Sequence, residues 1–135
     1  MNFTECFKHQ GVALHRSRGA WSGVSGDGGV VVVSLWRDAI RVVGASLYYD
    51  DREHLAGKAA SGARLRLKHL NHALANGAEV RVVEVSAIDP AARPRTIRSA
   101  CPLTRYTLRI VGIDQVTGAF HGEIVRVDFG AMLAA

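Results

Sequence analysis

Trp21-Ser22-Gly23-Val24-Ser25-Gly26-Asp27-Gly28-Gly29, continuing into Val30-Val31-Val32-Val33-Ser34-Leu35-Trp36-Arg37-Asp38, is the stretch whose reading decides the fold. Its glycine-rich centre, Gly26-Asp27-Gly28-Gly29, supplies residues that tolerate positive φ, and a β-branched run follows, so the stretch predicts a β-hairpin. Both tryptophans of the chain belong to it. At the open end of two antiparallel strands, Trp21 and Trp36 are expected to be near neighbours. Two flat aromatic faces beside Ser22 and Asp38 offer a place where a planar ring stacks and is hydrogen-bonded at its edge.

Working outward, Gly11–Arg16 reads as a short first strand and Ala39–Tyr49 as a further one. Asp50–His54 is a polar break, and Gly57–Gly62 reads as a loop. A helix of about four turns is expected from an N-cap at Ser61 to Asn76-Gly77, with Leu67, Leu70 and Leu74 on its apolar side, Ala63 one turn earlier, and Gly77 as the residue beyond the C-cap. Arg64, Lys68 and His72 form a basic stripe on the opposite side. Glu79–Ala87 is rich in β-branched residues, and its two valine faces place it centrally in a sheet. The stretch Ile88–Pro102 holds all three prolines and is expected to be an irregular loop. Arg105–Val111 and Ala119–Val127, joined by Asp114–Gly118, read as a C-terminal hairpin. The expected architecture is α+β: a curved, mostly antiparallel sheet or a small, partly open β-barrel with one main helix.

The length of 135 residues and the 48% apolar composition suit one domain, residues 1–135. Lys and Arg outnumber Asp and Glu by 17 to 12, giving a formal net charge of +5. That balance favours a polyanionic partner. Met1–Cys6 lacks the basic start and apolar core of a signal peptide, and no apolar run approaches a membrane span. A cytoplasmic protein with no membrane partner is expected. Cys6 and Cys101 form neither a disulfide framework nor a thiolate metal site.

Three arginines, Arg93, Arg95 and Arg98, sit in the proline-bounded loop, where a restricted backbone presents guanidinium groups to phosphates at reduced entropic cost. Asp38 can accept a hydrogen bond from the exocyclic amine of cytosine or adenine on a flipped base. The alternatives are tryptophans packed in the core and arginines paired with local carboxylates. Tyr48 and Tyr49, on a strand, point to opposite faces. His69 and His72 lack acidic or thiolate companions at metal-ligand spacing, so no metal is expected. His69-Leu70-Asn71-His72 contains the letters of an HNH nuclease, but those ligands would need to be separated rather than share one helix turn. His121 and Glu123 share one face of the last strand and could form an acid–base pair, with no nucleophile near them in sequence.

Together, Val32–Asp38, the helix ending at Asn76-Gly77 and Ala92–Arg98 resemble the modified-base-reading modules of bacterial defence proteins, which occur beside HNH nuclease domains and are akin to EVE and PUA-like barrels. The resemblance implies that Trp21 and Trp36 stack on an extruded base while Ser22 and Asp38 hydrogen-bond it. It also implies that Arg93, Arg95 and Arg98 contact phosphates. The expected function is therefore a non-catalytic nucleic-acid-binding module, with DNA favoured over RNA, no cofactor and no metal. Arg64 and Lys68 are further phosphate contacts. The alternatives are a protein that self-assembles through its valine-rich strands and the apolar tail Ala131–Ala135, and a small barrel enzyme using His121 and Glu123.

Overall fold

Alternation along two valine-rich strands sets the layering of the molecule. In β2 (Val30–Trp36), Val31, Val33 and Leu35 are buried on one face and Val32 on the other. In β5 (Glu79–Ala87), Val80 and Val82 face the first side, Val83 and Val85 the second. Strands buried on both faces lie inside a sheet with cover above and below. β2 and β5 pair in parallel, from Val30 opposite Glu79 to Trp36 opposite Val85.

The structure is a computed structural model that describes residues 1–14, 21–51, 60–92 and 95–127. Around the central pair stand β1 (Ser22–Val24), β3 (Ile40–Val43), β4 (Ser46–Asp50), β6 (Ile97–Ile113) and β7 (Phe120–Arg126). The strand order is β1-β2-β5-β6-β7-β4-β3, and every pairing except β2–β5 is antiparallel. The fold is α+β with a curved, mostly antiparallel sheet that does not close, leaving β1 and β3 as edges. Helix α1 (Phe3–His9) covers β5 and β6 on one face, and α2 (Ala60–Asn76) covers β1, β2 and β5 on the other.

The expected hairpin is present, with Ser22 opposite Val33 and Val24 opposite Val31. In its turn only Gly28 takes positive φ, at 75°. Asp27 organises the rest, its Oδ1 accepting from Ser25 Oγ at 2.7 Å and from Gly29 N at 2.9 Å. The β5 boundaries match the reading, and Gly77 ends α2 at φ 66° with Ala78 N donating to Ala73 O at 3.1 Å.

Several expectations are corrected. Helix α1 stands where no element was foreseen, closed by a capping box in which Asn2 Oδ1 accepts from Glu5 N and Glu5 Oε1 from Asn2 N. Val12–Leu14 is not a strand: Val12 N donates to Phe7 O as the chain leaves α1, and the Val12 side chain packs against Gly23, where a Cβ would come within 2.5 Å of it. Residues 15 and 16 of that expected strand lie outside the described residues. Ala39–Tyr49 is not one strand but the hairpin β3–β4, turning at Gly44 with φ 61°. Helix α2 starts at Ala60, so Ser61 is inside its first turn and residues 60–62 are helical rather than loop.

The proline-rich stretch is irregular only as far as Thr96, because β6 begins at Ile97 and contains Pro102. Pro102 pairs with Val83 beside a register shift, where the ladder does not need the N–H that proline lacks. The same shift lies at Val82, whose carbonyl takes a hydrogen bond from Gln10 Nε2 at 2.9 Å, while Arg81 Nη1 donates to Gln10 O at 2.9 Å. These bonds anchor the end of α1 to β5.

On α2 the buried positions are Ala63, Arg66, Leu70 and Ala73, spaced three, four and three residues apart. Leu74, expected in the core, is 58% exposed. Leu70→Ala is therefore expected to cost about 2–5 kcal/mol in urea denaturation, while Leu74→Ala should stay within about 0.5 kcal/mol. Equal effects would mean that α2 presents a different face.

Candidate functional site

Arg66 occupies a core position of α2 because an aromatic sandwich and a carboxylate receive it. Its guanidinium lies 5.1 Å from the Trp21 ring centroid and 4.7 Å from that of Phe120. It pairs with Asp51, and both side chains are buried. Trp21 reaches α2 because residue 62 is glycine; a Cβ there would stand 2.6 Å from the indole. Tyr49 stacks on the far side, its ring centroid 5.5 Å from that of Phe120. Arg66 Nε has no hydrogen-bond partner.

Ser22, next along, is buried and bonds His69 one turn from Arg66, with Oγ and Nδ1 2.7 Å apart. Burial first, then the charges of Lys68 and His72, push the His69 imidazole below the ordinary histidine value. Trp21 and Ser22 thus join a polar nest beneath α2. Asp51, Arg66 and Phe120 belong to the same nest and were not singled out in the sequence, whereas His69 was weighed there only as a metal ligand or part of a nuclease motif.

Trp36 and Asp38 belong to a second cluster. Asp38 lies in a single 3-10 turn, Arg37–Ala39, that follows β2. Arg95 grips it with two bonds, Nη1 to Oδ1 at 2.6 Å and Nη2 to Oδ2 at 2.8 Å. The same guanidinium lies 5.0 Å from the Trp36 ring centroid. Trp36 packs against the cluster of Cys6, Phe7 and Val85 on the α1 side. The two indoles therefore stand on different sides of the sheet, each beneath its own arginine, rather than side by side. Arg95 is turned inward, Arg98 is exposed on β6, and Arg93 lies outside the described residues.

Arg64 and Lys68 are exposed on α2, but His72 docks the hairpin turn, its Nε2 2.9 Å from Gly28 O. Tyr48 and Tyr49 face opposite ways as expected: Tyr49 is in the core, Tyr48 half-buried on the other face. His121 and Glu123 share that outer face, His121 exposed and Glu123 within 3.3 Å of Arg109 Nη2. Among the described residues no group of three His, Cys, Asp or Glu is placed to hold a metal ion. No helix among them is long and apolar enough to cross a membrane.

Acidic groups among the described residues are engaged. Asp38, Asp51, Glu79, Glu84 and Glu123 meet arginines. Glu5, Asp27, Asp89 and Asp114 accept from backbone N–H groups. Among the described residues Lys8, Arg41, Arg64, Lys68, Arg98, Arg105 and Arg126 stand exposed without an ion pair. Among the described residues the unpaired charges at the surface are therefore cationic.

Replacing Arg66 by Met leaves the Asp51 carboxylate buried without its cation, an expected cost of about 3–5 kcal/mol. Combining it with Asp51→Leu should restore most of that in urea denaturation, and a double variant no better than the single one would contradict the pairing. His69 binds its proton less readily folded than unfolded, so its contribution is complete above the ordinary value of 6.5 and is lost as pH falls through its folded value. Stability should drop as pH falls below the ordinary value of 6.5, and His69→Gln should flatten that dependence. An unchanged pH profile in this variant would overturn the assignment. Comparisons of the chain with family models, with curated proteins and with solved structures find no match.

Proposed function

We propose that this protein is a nucleic-acid-binding module without catalysis of its own. The observation that supports it is electrostatic: among the described residues the carboxylates are engaged by internal pairs and turns, while seven arginine and lysine side chains stand exposed without an ion pair. Free guanidinium and ammonium groups release condensed counterions when they meet phosphates, which favours binding to a polyanion. The buried Ser22 and the half-buried His69 are positioned by each other, an arrangement suited to scaffold rather than hydrolysis.

Arg95 contributes to this reading as a positioning group. Its bidentate bond to Asp38 and its place over Trp36 fix the loop entering β6, so phosphate contact falls to the exposed cations instead. A base, modified or not, is reached where its face is unstacked, in a single strand or an extruded nucleotide. DNA remains the favoured polymer.

Titration of the full chain against plain duplex, methylated duplex and single strands, in about 50 and 200 mM salt, tests the proposal. Affinity should fall steeply with salt, with a slope of log K on log salt of about −2 or steeper. No salt-sensitive binding to any of these nucleic acids would overturn it.

A further inference from the structure

The α1 side of the sheet is covered only in part. Helix α1 lies over β5 and the first half of β6, where Val83, Val85 and Ala100 meet it. Beyond this, the same face continues across the second half of β6 and across β7, β4 and β3, and neither described helix lies above it. The register defines what it carries. Arg41 stands opposite Tyr48, Tyr48 opposite Glu123, and Glu123 opposite Arg109, a single row across four strands. Their strand neighbours Ile40, Leu47, Tyr49, Ile124, Leu108 and Ile110 all turn to the α2-side core, so this row points away from it.

Around the row are groups unsuited to a face that meets only water. Val43 is 60% exposed, and Val125 is exposed on β7. His121 lies flat over Gly112, where a Cβ would come within 2.5 Å of the imidazole, so the absence of a side chain there makes room for an exposed ring. Arg41 has no ion pair, and the acid of the row, Glu123, is already bonded by Arg109.

On the reading of the protein as a nucleic-acid-binding module, we infer that this open face is a stacking platform for single-stranded nucleic acid, with Tyr48 and His121 receiving bases and Arg41 and Arg109 receiving phosphates. The two arginines are three strand spacings apart, about 14 Å, a span that flanks a short run of nucleotides laid across the strands. Aromatic rings on a sheet accept any base, because every base has a π face, and cations beside them hold the backbone. Charge complementarity selects this occupant: the face offers an unpaired guanidinium and no unpaired carboxylate in the row, which disfavours an acid-poor or cationic partner.

The experiment is fluorescence anisotropy of the full chain with a labelled oligothymidylate of about 15 nucleotides, and with a duplex of the same length, at the two salt concentrations above. Light scattering on the same samples accompanies it. Tyr48→Ala should weaken single-strand binding roughly 5- to 100-fold, with Tyr48→Phe close to the parent protein. Arg41→Ala should reduce the salt slope by about 0.7. Should Tyr48→Ala unfold, Arg41→Glu with Val43→Glu carries the test, since both positions are exposed and the same loss is expected. Single-strand binding that these variants leave intact would overturn the platform while the nucleic-acid reading stands. Absence of binding to strand and duplex alike would bring down both. Self-association that Val43→Glu abolishes, without strand binding, would reassign the face to a second copy of the chain.

Discussion

A guanidinium in an apolar interior has to be met on all sides, and Arg66 is met by groups drawn from distant parts of the sheet. Trp21 immediately precedes β1, Phe120 begins β7 and Asp51 follows β4. In the strand order β1-β2-β5-β6-β7-β4-β3, β1 and β4 are five spacings apart. Laid flat, they would be about 24 Å from each other. One side chain touches groups flanking both β1 and β4, so the sheet has to curl to bring them together under α2. The curvature of an open sheet is thus held by a buried ion pair and two aromatic rings, where a closed barrel would use a ladder of backbone hydrogen bonds.

Such a pair is better at specifying than at stabilising. Its Coulomb gain is set against the desolvation of two charges, and Arg66 Nε remains without a partner. Removing one partner is costly, whereas the pair as a whole adds little net free energy. What it adds is register: a wrong strand end brought to α2 would leave a charge unmet. The Arg95–Asp38 pair acts at the other indole in a milder way, because Asp38 is partly open to solvent and the attraction is screened accordingly. It ties the turn after β2 to the segment entering β6, across Trp36.

The hairpin, β5, the helical stretch and the C-terminal hairpin were legible because each is governed by local rules: turn glycines, β-branched alternation, a glycine after the helix. The departures come from non-local causes. Arg66 falls on the apolar stripe of α2 by spacing but looks like a surface residue by its charge, and Asp51, Trp21 and Phe120 make its core position tolerable. Leu74 looks apolar enough for the core, yet the stripe through Ala63, Arg66, Leu70 and Ala73 leaves it outside. Pro102 reads as a strand breaker until the register shift beside it is known. Helix α1 is a different case, since the Asn2 to Glu5 capping box stood in the sequence as a local signal, although seven residues are too few to show helical periodicity convincingly. Of the residues expected to form one site, Trp36, Asp38 and Arg95 do come together, while Trp21 and Ser22 join α2. Strand alternation alone does not assign Trp21, because it lies just outside β1.

The size of the sheet also explains why part of one face lies open. Seven strands span about 29 Å across, and a seven-residue helix is about 10 Å long. Helix α1 can shield two or three strands, and neither described helix covers the remainder of its side. Solvent alone would be served by threonine, lysine and glutamate. Instead, the uncovered strands present valines, a tyrosine and a histidine between arginines, with the neighbouring carboxylate already bonded. Exposed rings and apolar groups on a strand face lower solubility and raise the risk of mispairing, most of all close to the edge strand β3. Beside exposed arginines, these groups suit the anionic, flat-faced ligand proposed above better than water alone.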